Sequence, residues 1–237
     1  MNRPFYLLEE RTKMNFKAVI FDMDGVIFDS ERVYIDCYKE IEDDFHVKDT
    51  EEVCKKCIGI TSAETVRILH EHYGEDFPVD KFYGAAGEVF RRKYEENGLP
   101  MKPGVTELLK WLKDKGISTA IASSTKTEVV KQELKDAGIL IYFDKIIGGD
   151  MVSRSKPNPD IFLKAAETLQ VDTDEAFVIE DSFNGIRAAH AADIKAIMVP
   201  DILQPDEEIR GKAFKVLESL LEVRDYFNSN VGETTTF

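Results

Sequence analysis

The stretch Phe16-Lys17-Ala18-Val19-Ile20-Phe21-Asp22-Met23-Asp24-Gly25-Val26-Ile27-Phe28-Asp29-Ser30 sets the reading of the whole chain. Its first six residues form a largely apolar, β-favouring run. They stop abruptly at Asp22-Met23-Asp24-Gly25, the pattern of a buried strand running into a turn. Comparable short runs recur at residues 117–122, 145–147, 176–179 and 195–199. Helical periodicity fills the intervals at about residues 105–115, 126–137, 159–169 and 183–192. Strands alternating with helices predict parallel βαβ units, hence an α/β fold with a Rossmann-like parallel sheet in a three-layer α/β/α core. Ligands of such sheets gather beyond the carboxyl ends of the strands.

One interval breaks the alternation. From about residue 31 to residue 98 the chain shows helical periodicity rich in Glu, Lys and Tyr and no strand-like run. It departs directly after the first strand and returns at Leu99-Pro100-Met101-Lys102-Pro103-Gly104. Residues 31–98 therefore read as an inserted α-helical cap domain of about four helices, joined by two short crossings to a core made of residues 1–30 and 99–237. The ends, residues 1–13 and 228–237, are expected to be flexible.

Among the 237 residues, 31 Lys and Arg stand against 45 Asp and Glu, a formal charge of -14. The long-range field of such a chain repels nucleic acid and anionic membranes, so neither is expected as a partner. A small anionic substrate stays open, because a bound cation reverses the sign locally. Three cysteines, Cys37, Cys54 and Cys57, are too few and too odd in number for a disulfide framework. The apolar run Phe5-Tyr6-Leu7-Leu8 is too short for a signal-peptide core, and no stretch approaches the roughly 20 apolar residues that span a bilayer. A soluble protein of the reducing cytoplasm is expected.

Four short motifs follow proposed strands. In Asp22-Met23-Asp24, residues two apart on extended backbone project the same way, so both carboxylates can face one site. Such a pair suits a nucleophile beside a general acid/base, with a metal moderating their repulsion. A polar strand exit into a turn has the same composition. Ser123-Ser124-Thr125 offers hydroxyls and amides to a phosphate, or caps the next helix. In Ser155-Lys156-Pro157-Asn158-Pro159, Pro159 suits a first helical turn with Asn158 as its cap. Lys156 is then a point charge for phosphate or a solvated surface lysine. Glu180-Asp181-Ser182 supplies oxygen ligands of the kind Mg²⁺ takes beside substrate phosphate, or a helix cap. Each motif alone has a plain structural reading; together they gather a complementary set at one edge of one sheet.

The phrases FDMDGVIFDS, IASST, SKPNPDIF and VIEDSFNGI, in this order, resemble the four motifs of the haloacid dehalogenase superfamily. More narrowly, they resemble its β-phosphoglucomutase-like subgroup, whose helical cap is inserted after the first motif. The resemblance runs from residue 16 to about residue 199. It implies a two-step phosphoryl transfer in which Asp22 attacks phosphorus and forms an aspartyl phosphate, and Asp24 serves as acid and then base. It further implies Ser123, Ser124 and Lys156 around the transferring oxygens, and Thr125 and Lys126 in contact with substrate. The implied cofactor is Mg²⁺, held through Asp22, the Asp24 backbone carbonyl and Asp181, with Glu180 as ligand or support.

The acceptor of the phosphoryl group separates a phosphatase from a mutase, and the cap selects the acceptor. By the same resemblance, Ile58 and Ser62 stand where a β-phosphoglucomutase shows Lys and Arg, and Tyr34 stands where it carries His. Losing an arginine clamp is not a conservative change. The expected function is hydrolysis of a small phosphorylated metabolite of the sugar-phosphate kind, with mutase as the alternative if Lys55, Lys56 or Arg67 supplies the missing charge. A catalytically silent sugar-phosphate-binding protein is a third reading, against which both Asp22 and Asp24 argue. Cys54-Lys55-Lys56-Cys57 lacks a second ligand pair. His70 and His72 lie two apart, where one helical face requires three or four.

Overall fold

The computed structural model describes residues 15–58, 62–94 and 98–230. Six strands, β1 (Ala18–Phe21), β2 (Ser118–Ala122), β3 (Lys145–Ile147), β4 (Ala176–Glu180), β5 (Lys195–Met198) and β6 (Lys215–Val216), form one sheet in the order β3-β2-β1-β4-β5-β6. Every pairing is parallel. The insert carries α1 (Ser30–Glu40), α2 (Glu42–Phe45), α3 (Thr50–Cys57), α4 (Ser62–Tyr73) and α5 (Val79–Tyr94). The core helices are α6 (Val105–Asp114), α7 (Thr127–Asp136), α8 (Asp160–Leu169), α9 (Phe183–Ala191), α10 (Glu207–Lys212) and α11 (Leu220–Asn230).

Alternation along the strands makes the three layers. Val19, Phe21, Ile121 and Ile179 pack on one face against Leu108 and Leu112 of α6, Leu134 of α7 and Phe227 of α11. Ala18, Ile20, Ala120 and Val178 point to the other face, under Phe162 and Ala165 of α8 and Ala188 of α9. Small side chains on both partners let those helices lie close to the sheet, and burial on both faces explains why the strands read as continuous apolar runs. The insert has its own core, built from Val33 and Cys37 of α1, Val53 of α3, Leu69 of α4, and Phe82 and Val89 of α5. No described helix is long and apolar enough to cross a membrane.

The two crossings run side by side. Phe28 and Met101 form an antiparallel bridge, the Asp29 amide donates to Pro100 O at 2.9 Å and the Lys102 amide to Ile27 O at 2.8 Å. Asp201, from the loop after β5, accepts from Lys102 Nζ at 2.6 Å and from Arg32 of α1, whose guanidinium also meets Asp29 at 2.6 Å.

The expected α/β core and helical insert are present, with differences of detail. The strand β6 is an addition, two residues long at the sheet edge, where periodicity has nothing to act on. The insert holds five helices, because α2 is a single turn. Residues 228–230 belong to the last turn of α11, with the Asn228 side chain accepting from Trp111 Nε1 at 3.2 Å. Asn158 does not cap α8: its amide donates to Ser155 O at 3.0 Å, and Pro159 takes the cap position. The readings on residues 1–13 and 231–237, and on the side chain of Ser62, lie outside what the structure describes.

Candidate active site

Register brings the four motifs to one edge. Phe21 is paired with Ile121 of β2 and with Ile179 of β4, so the chain leaves β1 at Asp22 between the ends of both neighbours. The Asp22 amide continues the ladder, donating to Ile179 O at 2.9 Å. Past Asp24 the chain turns through Gly25, whose φ of +75° favours glycine. A Cβ there would also overlap the Asp181 carboxylate, so the glycine lets the loop lie directly against the Glu180-Asp181 segment.

Lys156 ties three strand ends together. Its Nζ donates to Asp22 Oδ1 at 2.6 Å, Glu180 Oε1 at 2.8 Å and Ala122 O at 3.1 Å. Its ammonium lies over the Phe162 ring, 5.0 Å from the centroid. Glu180 is fully buried, and its second oxygen accepts the amides of Asp181 and Ser182 at 2.8 and 2.7 Å. The carboxylate sits hard against Gly185, where any side chain would collide with it. Ser182 caps α9 by accepting from the Gly185 amide at 3.0 Å.

Asp24 is oriented separately. Its Oδ1 accepts from Ser30 Oγ at 2.7 Å, and its Oδ2 lies 3.5 Å from Thr125 Oγ1. The two aspartates thus have different partners, an ammonium for Asp22 and hydroxyls for Asp24.

Burial dominates the titration of these groups. It raises Asp22 above the usual carboxylate range against the pull of Lys156, with Glu180 and Asp24 pushing the same way as burial. It raises Asp24 too, opposed by the Ser30 hydrogen bond and the Lys156 charge. Asp181 is held well above its ordinary value by burial and then by Glu180 and Asp22. Burial pulls the Lys156 ammonium down, but its two carboxylate partners outweigh that and keep it charged. Crowded carboxylates with one shared cation are the condition in which a second, mobile cation binds. Oxygens of Asp22, Glu180 and Asp181 lie within 4.8 Å of one another. This all-oxygen, buried set suits a hard divalent ion, with Asp22 and Asp181 freer to ligate than Glu180, both of whose oxygens are already engaged.

A cavity of about 370 Å³ opens over these groups. Asp22, Asp24, Lys156 and Asp181 form its floor, and Ser124 and Thr125 line it beside them. Ser123 is buried, its hydroxyl accepting from the Thr125 amide at 3.0 Å. Lys126 is exposed on the preceding turn of α7 and is absent from the described lining. Instead of Ser123-Ser124-Thr125, Asp150 caps α7, accepting from the amide and hydroxyl of Thr127, both at 2.7 Å. Tyr34 and Ile58 enter from the insert. Three polar contributors escaped the sequence reading, Ser30, Glu31 and Glu133, as did the apolar Val129. Ser30 lies within the first motif and opens α1; Glu31 and Glu133 lie on helices, with nothing near them in sequence that points to the site. Burial first, then Asp24, pushes both glutamates up to about 7.

The sequence profile of the haloacid dehalogenase-like hydrolases matches residues 19–199. The chain belongs to that family. It is 34% identical, over 76% of its length and 83% of the other's, to the phosphorylated carbohydrates phosphatase of Thermotoga maritima. Two longer plant relatives share the region, and the chain spans 18% and 54% of their lengths. Among solved structures, a Thermotoga maritima protein provisionally named a β-phosphoglucomutase aligns with a TM-score of 0.72 and 29% identity, covering 90% of this chain and 99% of that one. CbbY from Rhodobacter sphaeroides, in complex with phosphate, aligns with a TM-score of 0.70 and 29% identity over 88% and 96%. The haloacid dehalogenase-like hydrolase fold, with a helical cap after its first strand, is the fold of this chain.

Proposed function

We propose that this hydrolase is a Mg²⁺-dependent phosphatase of a small phosphorylated metabolite of the sugar-phosphate kind. The carrying observation is the charge of the catalytic cavity. Lys156 is the one Lys or Arg among its described lining residues, and it faces the nucleophile, not the cap. A mutase must hold a second phosphate away from the reacting one, and the described walls there are Tyr34, Ile58, Leu99 and Val129 with Glu31 and Glu133. Of the cationic substitutes considered from sequence, Lys55 pairs with Glu51 at 2.7 Å and Arg67 with Glu71, while Lys56 is exposed and is not among the described lining residues. Phosphatase chemistry also agrees with the name of the Thermotoga maritima relative.

In this reading Asp22 Oδ attacks phosphorus in line with the leaving alcohol and forms an aspartyl phosphate. Asp24, kept protonatable by burial, gives its proton to the departing oxygen and then takes one from the water that cleaves the phosphoenzyme. Ser30 and Thr125 hold that carboxyl in place through both steps. Lys156, with the hydroxyl and amide groups of residues 123–125, surrounds the transferring oxygens. Glu180 fixes Lys156 from behind. Mg²⁺, held by Asp22 and Asp181 with Glu180 beside them, supplies charge neutralisation for a dianionic phosphate.

One reaction followed two ways tests this. The protein, Mg²⁺, β-glucose 1-phosphate and a trace of glucose 1,6-bisphosphate are monitored for glucose 6-phosphate and for free phosphate. Free phosphate without isomerisation is expected; fast glucose 6-phosphate with little free phosphate would make the protein a mutase.

A further inference from the structure

A second cavity, of about 390 Å³, lies inside the helical insert. It adjoins the catalytic cavity, because Glu31, Tyr34 and Ile58 line both. Its other walls include Tyr38, Leu69, Phe82 and Tyr83. The rings are ordered. Tyr34 stacks on Phe90 at 5.2 Å and 10° and on Tyr38 at 6.5 Å and 28°, and Tyr38 stacks on Phe82 at 5.2 Å and 12°. Near-parallel planes therefore continue from the mouth of the catalytic cavity into the insert.

Resting on the phosphatase reading, we propose that this cavity takes the far end of the substrate, and that this end is a flat heteroaromatic ring borne on the phosphorylated sugar. Three features argue for that occupant. The volume falls in the range of small-molecule sites. The rings of Tyr34, Tyr38, Phe82 and Tyr83, with Ile35 and Leu69 beside them, offer flat apolar surface that a ring which stacks on other rings covers more fully than a bare carbohydrate does. The described lining has no Lys or Arg, so the far end is not a second phosphate. Polar atoms of a heterocycle still find partners: the Glu31 carboxyl lies at the junction, and the hydroxyls of Tyr34, Tyr38 and Tyr83 have no hydrogen bond among the described residues. The sugar then spans the junction, where the Glu31 carboxyl accepts from its hydroxyls, with the Glu133 carboxyl on the catalytic side.

The test compares matched substrates with the intact protein and Mg²⁺. Phosphate release is measured from uridine 5′-monophosphate and adenosine 5′-monophosphate against ribose 5-phosphate and glucose 6-phosphate, with acetyl phosphate as a ring-free phosphoryl donor. The expected result is a kcat/KM at least about tenfold higher for the ring-bearing compounds, roughly 1.4 kcal/mol. Two variants, Tyr83→Leu and Cys54→Phe, remove one wall ring or fill the cavity, and each should bring the ratio of ring-bearing to ring-free kcat/KM toward one. Equal or faster hydrolysis of the ring-free sugars, or a ring preference that persists in both folded variants, overturns the inference while leaving the phosphatase reading intact. No phosphate from any compound, acetyl phosphate included, overturns the phosphatase reading and this inference with it.

Discussion

Lys156 and Asp22, 134 residues apart in sequence, form an ion pair of 2.6 Å in which the lysine side chain is 8% exposed and the aspartate 10%. The same ammonium holds Glu180 at 2.8 Å. Taking the cation away leaves two buried carboxylates uncompensated. Lys156→Met should therefore lower stability by about 3–5 kcal/mol in metal-free protein. It should also reduce turnover by about 10²–10³-fold, since the charge facing the transferring oxygens is gone. Saturating Mg²⁺ should recover part of the stability and little of the turnover. Urea melts with and without Mg²⁺, alongside phosphate release, check both; a variant as stable and active as the parent would remove Lys156 from the site.

The two aspartates should fail differently. Asp22→Asn should eliminate the aspartyl phosphate and cut turnover by about 10³-fold or more. Asp24→Asn keeps the nucleophile beside Lys156 but loses the proton relay. It should still form some phosphoenzyme from acetyl phosphate, whose leaving group needs little help. Intact-protein mass spectrometry after acid quench distinguishes them. A phosphorylated Asp22→Asn protein would place the nucleophile elsewhere. EDTA should silence the parent enzyme and Mg²⁺ restore it; activity surviving chelation would contradict the metal role given to Asp22 and Asp181.

Gly25 gives a test of backbone geometry. Alanine at a φ of +75° costs about 1–2 kcal/mol by itself, and its Cβ must displace Asp181. Gly25→Ala should lower Tm and weaken the Tm rise on adding Mg²⁺. Gly84→Ala, in α5 with nothing within 4 Å of the new methyl, is the control; it should stabilise slightly through helix propensity. Equal responses to Mg²⁺ in both variants would show that the approach of the Gly25 loop to Asp181 does not matter to the metal site.

Glu31 and Glu133 give the pH dependence a sign. Each carboxyl is pushed from 4.5 up to about 7 in the folded protein. The folded state then binds more protons than the unfolded state between those values. Their contribution to stability is complete below about pH 4.5 and is lost as pH rises through 7. Other carboxylates and the net charge act in the same solution, so the measurement is a difference. Glu31→Gln, which keeps the neutral shape, should flatten the fall in Tm between pH 5 and pH 8 relative to the parent in metal-free buffer. An unchanged slope would mean that Glu31 titrates normally.

What the sequence made legible follows from range. Residues 18–21 are apolar on both faces because helices cover both sides of the sheet, and that is visible in a short window. The meeting of Asp22, Asp24 and Lys156 at one sheet edge was legible because each follows a strand or precedes a helix in a local pattern. Contacts made across long separations were not. Nothing near Glu133 in sequence says that α7 turns it toward Asp24. Nothing near Asp150 says that it, and not Ser123, caps α7. Strand β6 has only two residues, and its pairing with β5 is set by the path of the chain, not by a pattern of its own. Asn158 had the right type for a cap, but its Nδ2 closes a turn onto Ser155 O and the cap position of α8 falls one residue later, at Pro159.

The paired crossings at residues 27–29 and 100–102 carry a consequence for exchange of parts. The insert enters and leaves through two backbone segments that hydrogen-bond to each other, so its ends are neighbours whatever lies between them. Closing the core over an excised insert would therefore need a hairpin-length loop, and fitting a different insert would require only that its ends meet at that spacing. Asp22 and Asp24 lie three or more residues before this seam, and the Asp22 amide is bonded to β4. A graft at the seam would change the walls that the insert lends to the cavity and leave Asp22, Asp24 and Lys156 where they are, provided the new insert keeps a hydroxyl at position 30 for Asp24.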